Sequence, residues 1–211
     1  MKLCTNWDDV TIRQFIELSK LTNDDSVEYN ISVIALMSGK TKDEIESLPI
    51  EELTPLIKKV QFINHLPIKH LLPTHLKVNG KRYLVNLNVS ELTGSGYIDL
   101  KTLTKDENKI VDNLHLILTC FVKPAKKTWY GKWKPIKVDA NEQMQIADDF
   151  LNHFSVGIAY PLAVFFCELY PNLILGIQQY LLKKSQRELK QLESSLKQHI
   201  PKHTMSTGVG I

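Results

Sequence analysis

Trp7-Asp8-Asp9-Val10-Thr11-Ile12-Arg13-Gln14-Phe15-Ile16-Glu17-Leu18 carries the signals of a helix start one after another. The Thr11 hydroxyl is placed to accept from a first-turn N–H, and Gln14, three residues on, reaches back to the cap; together they make a capping box. Val10 and Phe15 form a hydrophobic staple around that cap, and Ile12, Phe15, Ile16 and Leu18 supply an apolar side. Working outward, Ser26 to Met37 reads as a second helix stopped by Ser38-Gly39. Thr41-Lys42-Asp43-Glu44 is another capping box opening a third, which ends at Leu48-Pro49. Glu51, Glu52, Leu53, Leu56, Ile57, Val60 and Ile63 keep a helical period, with Pro55 expected in a first turn, where its missing N–H is tolerated.

The period then changes. Leu76-Lys77-Val78-Asn79-Gly80-Lys81-Arg82-Tyr83 places Asn-Gly between two short alternating runs, the signature of a two-residue hairpin. Further on, Leu92-Thr93-Gly94-Ser95-Gly96-Tyr97-Ile98-Asp99-Leu100 can be laid over the first helix at a constant offset of 82 residues. Val10, Thr11, Phe15, Ile16, Glu17, Leu18, Leu21 and Thr22 fall on Leu92, Thr93, Tyr97, Ile98, Asp99, Leu100, Leu103 and Thr104, and Asp24-Asp25 falls on Asp106-Glu107. This reads as an internal duplication of a helix-turn-helix pair, with Asp106 to Cys120 as the second helix of the later copy. Chance likeness between two amphipathic helices is the alternative.

From Phe121 to Val138 the helical pattern is broken by Pro124, Gly131 and Pro135, and Trp129, Tyr130 and Trp133 sit among six lysines. An extended arm or hairpin around Tyr130-Gly131 is expected. Asp139 with Glu142 opens a helix whose Met144, Ala147, Phe150, Leu151 and Phe154 are expected to face a core. Val156 to Leu182 is the most apolar stretch, yet Pro161, Glu168, Pro171 and Asn172 within it favour a buried helix pair over a membrane span. Leu182, Leu189 and Leu196 repeat every seven residues with Leu192 between them, a pattern suited to a docking helix, and Pro201 ends it. The expected fold is therefore mainly α: a helical domain over 1–120 with the internal helix-turn-helix duplication and a small β-hairpin insertion near 76–85, a basic aromatic arm over 121–138, C-terminal helices including a long one over 139–200, and a polar tail over 201–211.

With 211 residues, 43% hydrophobic and 23% charged, the chain has the composition of an ordinary globular protein. Its net charge of +3 is uneven: residues 121–211 hold 12 Lys/Arg against 7 Asp/Glu, and residues 1–120 hold 14 against 16. That surplus is too small to demand a polyanionic partner. Cys4, Cys120 and Cys167 are far apart, with no CxxC pair, which points to a reducing compartment and away from a disulfide framework or zinc ribbon. Asp8 and Asp9 fall where a signal peptide would need an apolar core.

Little in the pattern matches catalysis. His65, His70 and His75 recur every five residues, which misses the i, i+4 spacing of two imidazoles on one helix face, and Pro67 and Pro73 intervene. Asp8-Asp9, Asp24-Asp25 and Asp148-Asp149 suit helix N-termini or exposed faces. Gly94-Ser95-Gly96 lacks the Gly-Lys-Ser/Thr ending of a phosphate loop, and no nucleophile elbow is present. No catalytic, cofactor-binding or metal-ligating residue is expected. The one candidate binding patch is Lys126, Lys127, Trp129, Tyr130, Lys132, Trp133 and Lys134, flanked by Lys123 and Lys137. Lysines neutralise phosphates and aromatic rings stack on bases, so single-stranded nucleic acid is one reading. Solvated lysines, with the tryptophans packed on the core or on a partner protein, is the other.

The Trp7-Asp8-Asp9-Val10-Thr11-x-x-Gln14-Phe15 segment, the Ser38-Gly39-Lys40-Thr41-x-x-Glu44-Ile45 turn and Leu92-Thr93-x-x-x-Tyr97-Ile98-Asp99-Leu100 are similar to a group of small virion and tail-assembly proteins of tailed bacteriophages, including crAss-like phages. The resemblance covers about residues 5–120. It implies no catalytic residues and no cofactor, a role through protein–protein contacts, and a place in the virion after synthesis in the host cytoplasm. The expectation is a non-enzymatic structural component of the particle, docked on other phage structural proteins through Leu182, Leu189, Leu192 and Leu196 and the tail. Self-association is compatible with this, and a membrane is disfavoured. The alternatives are a tail assembly chaperone absent from the mature particle, or a nucleic-acid-binding accessory protein using the Lys/Trp arm.

Overall fold

The Thr11 hydroxyl accepts from the Gln14 backbone N–H, and the Gln14 side chain accepts from the Thr11 N–H at 3.0 Å, opening α1 (Ile12–Ser19) on the expected capping box. The Gln14 amide also donates to the Leu36 carbonyl at 3.1 Å, which ties α1 to the last turns of α2 (Val27–Ser38). Ser26 caps α2, and Gly39, in the left-handed region at φ 68°, ends it. A second capping box, Thr41 with Glu44, opens the short α3 (Lys42–Glu46). The computed structural model describes residues 2–21, 26–67, 71–88 and 91–167. Asp24-Asp25, His70, the heptad leucines Leu182, Leu189, Leu192 and Leu196, and the polar tail lie outside the described residues.

α4 (Ile50–Val60) contains Pro55 beyond its first turn, a departure from the expected placement. Pro55 lies on the exposed face, so solvent can serve the Glu51 carbonyl that a proline cannot reach. The helix survives because its opposite face buries Leu53 and Val60. A 3₁₀ turn, Gln61–Asn64, follows.

The Asn-Gly hairpin forms where the alternation placed it. β1 (His75–Val78) and β2 (Lys81–Val85) pair antiparallel around Asn79 and Gly80, whose φ values of 46° and 75° are both positive, as a primed turn requires. Leu76, Val78, Tyr83 and Val85 bury one face. The hairpin is half of a larger sheet. β3 (Val122–Lys127) pairs with β2, and β4 (Trp133–Pro135) with β3, giving four antiparallel strands in chain order. Each proline finds a place where its missing donor is harmless. Pro124 accepts from the Ile136 N–H at 2.8 Å, so its own nitrogen faces β4 where that strand ends. By the alternation of ladder bonds, the Pro135 nitrogen faces the open edge.

Thr93 caps α5 (Gly94–Leu103) by accepting from Gly96 N–H, 82 residues after the Thr11 cap. The two helices bury different positions: Ile12, Phe15 and Ile16 in α1, but Leu100 in α5, where Ile98 is exposed. The helix expected from Asp106 begins later, as α6 (Leu114–Phe121), after a 3₁₀ turn at Glu107–Lys109. Side-chain bonds hold the delay in place. The Asp106 carboxylate accepts from the Asn108 N–H, and the Asn113 amide donates back to the Leu103 carbonyl at the end of α5.

α7 (Ala140–His153) starts on the expected Asp139–Glu142 capping box. It buries Ile146, Ala147 and Phe150, with Phe154 just beyond; Met144, expected in the core, is exposed. Gln143 takes the place on that stripe, donating to the Thr119 hydroxyl at 3.0 Å. Residues 156–167 form α8, which runs through Pro161 and buries Val156, Ala159, Leu162, Ala163 and Phe166. Phe166 stacks on Phe121 at 3.5 Å, and Phe150 meets Tyr83 and Phe154 edge-on, so α6, α7, α8 and the inner sheet face share the core. The described chain is mainly α with a small antiparallel sheet.

Candidate functional site

β3 follows α6 with no intervening residue, so the basic aromatic segment is built as the outer hairpin of the sheet. Its loop is closed by three bonds. Thr128 N–H and its hydroxyl both donate to the Lys132 carbonyl, at 2.7 and 2.8 Å, and Gly131 N–H donates to the Thr128 carbonyl with Gly131 at φ 86°. Trp129 and Tyr130 are thereby fixed at the tip. Trp129 is 96% exposed, with Tyr130 edge-on to it at 5.4 Å. Lys134 Nζ lies 5.7 Å above the Tyr130 ring.

The register sorts the remaining residues onto two faces. Lys126 is directly opposite Lys134 on one face, and Lys127 directly opposite Trp133 on the other. Like charges placed opposite one another in an antiparallel pair destabilise it unless something compensates them. Trp133 is half-buried beneath Arg82, whose guanidinium lies 4.9 Å from the ring, and Arg82 is in turn opposite Lys77. A chain of Lys77, Arg82, Trp133 and Lys127 therefore crosses all four strands on the outer face. Among the described residues, no salt bridge engages Lys77, Arg82, Lys126, Lys127, Lys132 or Lys134. Lys81 on the inner face differs: Asp149 of α7 pairs with it and holds its ammonium above the ordinary value.

All seven residues of the expected patch thus come together on one hairpin. The tip aromatics do not pack on the core, and Trp133 packs under an arginine. Lys123, flanking them in sequence, turns away. Its ammonium is half-buried, donates to the Thr119 carbonyl at 2.7 Å, and is pushed down from its ordinary value by burial. Lys77 and Arg82 escaped the sequence reading. Their place on the polar side of the alternating hairpin was visible, but the pairing of β2 with β3 was not.

Other clusters offer less chemistry. A cavity of about 530 Å³ under the N-terminal segment is lined by Cys4, Asp9, Gln14 and Met37. Its Asp9 carboxylate is taken by Asn6 and Thr5, and burial raises the Cys4 thiol. Cys120 is pushed up to about 11 by burial, which keeps it a thiol. His65 gives its carbonyl to the Trp7 indole N–H at 2.6 Å, and His75 pairs with Thr74 at the head of β1. Among the described residues, no three His, Cys, Asp or Glu side chains are grouped to hold a metal, and no helix is long and apolar enough to cross a membrane. Comparison with known proteins gives no match to a family model, a curated protein or a solved structure.

Proposed function

We propose that the chain is a non-enzymatic structural component of a tailed-phage virion, held in place by contacts with its neighbours. The reading is supported by how the Trp7–Phe15 motif, on which the phage resemblance rests, is used. Trp7 packs edge-on against Phe15 and Phe62 and donates to His65, its carbonyl accepts from Gly157 and Ser155, and Thr11 and Gln14 cap α1. Trp7, Thr11, Gln14 and Phe15 of that motif each join one part of the chain to another.

The elements proposed to make outward contacts are the β3–β4 hairpin and the leucine series Leu182, Leu189, Leu192 and Leu196, with the latter docking on another phage structural protein. Repeated threonine caps 82 residues apart support, as part of the same reading, a duplicated helix pair in the first 120 residues. Mass spectrometry of purified particles tests the proposal. A component is present in fixed copy number, whereas a tail assembly chaperone is missing from the finished particle. Truncation before Pro201 tests the docking element separately, since unaltered incorporation removes the tail from it.

A further inference from the structure

We propose that the β3–β4 hairpin and the outer face of the sheet form an interface for single-stranded nucleic acid, the tip stacking on bases and the lysines following the phosphates. This rests on the hairpin being an outward contact element, and not on membership of a particle. Three observations carry it. The first is Trp129, a side chain with a large apolar surface, held 96% exposed on a loop closed by its own hydrogen bonds. A rigid ring with a free face is a platform on which any base can stack, and the ordering cost has been met in advance.

The second is the placement of charge. On the outer face Lys77 lies opposite Arg82, and Lys127 opposite the Trp133 that Arg82 covers, and among the described residues none of these three cations has an anionic partner. Along the strands, the outer-face positions His75, Lys77, Arg82, Leu84, Ala125, Lys127, Trp133 and Pro135 include no carboxylate, and Lys123 beside them is turned to Thr119. A polyanion relieves the repulsion among them, and releases its own counterions in doing so. The third is that Arg82 lies over the Trp133 ring, its guanidinium 4.9 Å from the centroid, which keeps the charge at the sheet surface. An acidic protein segment satisfies the charges but has no use for an exposed tip aromatic. A nucleic acid uses both.

Fluorescence anisotropy of labelled oligo-deoxythymidine with the full chain, over a potassium chloride series, tests this, with a labelled oligo-glutamate peptide in parallel. The oligonucleotide is expected to bind, with a slope of log affinity against log salt that shrinks by about 0.7 for each phosphate contact removed. Lys77→Gln and Lys127→Gln, on the outer face, should each shrink it. Trp129→Ala should weaken binding about 5- to 150-fold at every salt concentration and leave the slope unchanged, while Trp129→Phe restores most of the affinity. Trp129 touches no core residue, so circular dichroism of both variants should match the parent. Absence of binding at low salt, equal binding of oligo-glutamate, or indifference to Trp129→Ala overturns the proposal. A chain found in purified particles that fails these binding tests refutes this inference and leaves the virion reading standing.

Discussion

Gly157 occupies a place that a methyl group cannot enter. A Cβ built there lies 2.1 Å from Asp8 Oδ1 and 3.1 Å from the Asp8 backbone nitrogen. The carboxylate can swing away, but the backbone cannot, because the Gly157 N–H is bonded to the neighbouring Trp7 carbonyl at 2.9 Å. Gly157→Ala should therefore cost about 1–3 kcal/mol, the range for overpacking, measured as a fall in thermal or urea midpoint. Adding Asp8→Ala should recover part of that loss. Strictly additive effects of the two substitutions would show that the crowding is absent. His115 makes a second test at this scale. Its Nδ1 is buried without a hydrogen-bond partner among the described residues, and desolvation holds its pKa below the ordinary 6.5, against smaller opposing effects of Asp148 and the Asp112 backbone. The unfolded chain then binds the proton more readily than the folded one between the lowered value and 6.5, so stability falls as pH drops through that window. His115→Leu should flatten that part of the urea-midpoint profile; an unchanged slope would exclude the histidine as its source.

At the scale of elements, what was legible depended on range. Capping boxes at Thr11, Thr41 and Asp139 and the Asn79-Gly80 turn are decided by side chains within four residues of one another, and each formed as read. Gly80→Ala tests the last of these. At φ 75° an alanine methyl crowds the backbone, and a loss of about 1–2 kcal/mol is expected in equilibrium unfolding. No loss would mean that the turn is not of the primed type. The misreadings have longer-range causes. Asp106 looks like a helix start, but its carboxylate is taken by Asn108 and the helix waits for Asn113, which is drawn to α5. Met144 fits a helical stripe, yet the stripe that forms runs through Gln143, because Thr119 of α6 offers it a partner. Pro124 and Pro135 left an extended arm and a hairpin around Tyr130-Gly131 both open; the hairpin forms because the orientation of each nitrogen within the assembled sheet makes the prolines harmless. For the same reason the candidate site was half visible. The hairpin's lysines and aromatics are contiguous in sequence, whereas Arg82 and Lys77 join them only through the pairing of β2 with β3.

Over the molecule as a whole, the beginning of the chain is fastened to residues almost 150 positions away. The Ile12 N–H donates to the Phe154 carbonyl, the Val156 N–H to the Val10 carbonyl at 2.8 Å, and the Ser155 hydroxyl to the Trp7 carbonyl, a separation of 148 residues. Phe15 meets Tyr160 on the inner side of this seam, and Val10, Ile12 and Val156 are fully buried beside it. Closing so long a loop is entropically costly, and it persists because those side chains lose their solvent together. The seam should therefore not open by itself, since parting it exposes the same apolar surface that α7 and α8 share with α6. Native-state hydrogen exchange checks this directly. The Val156 and Gly157 amides should exchange with the same free energy and the same denaturant dependence as those of Ile117 and Leu118 in the middle of α6. Gly157→Ala should lower protection at all four by one common amount. Exchange at Val156 that ignores denaturant, or a substitution that loosens the seam while leaving Ile117 untouched, would separate the N-terminal clasp from the core that the packing joins it to.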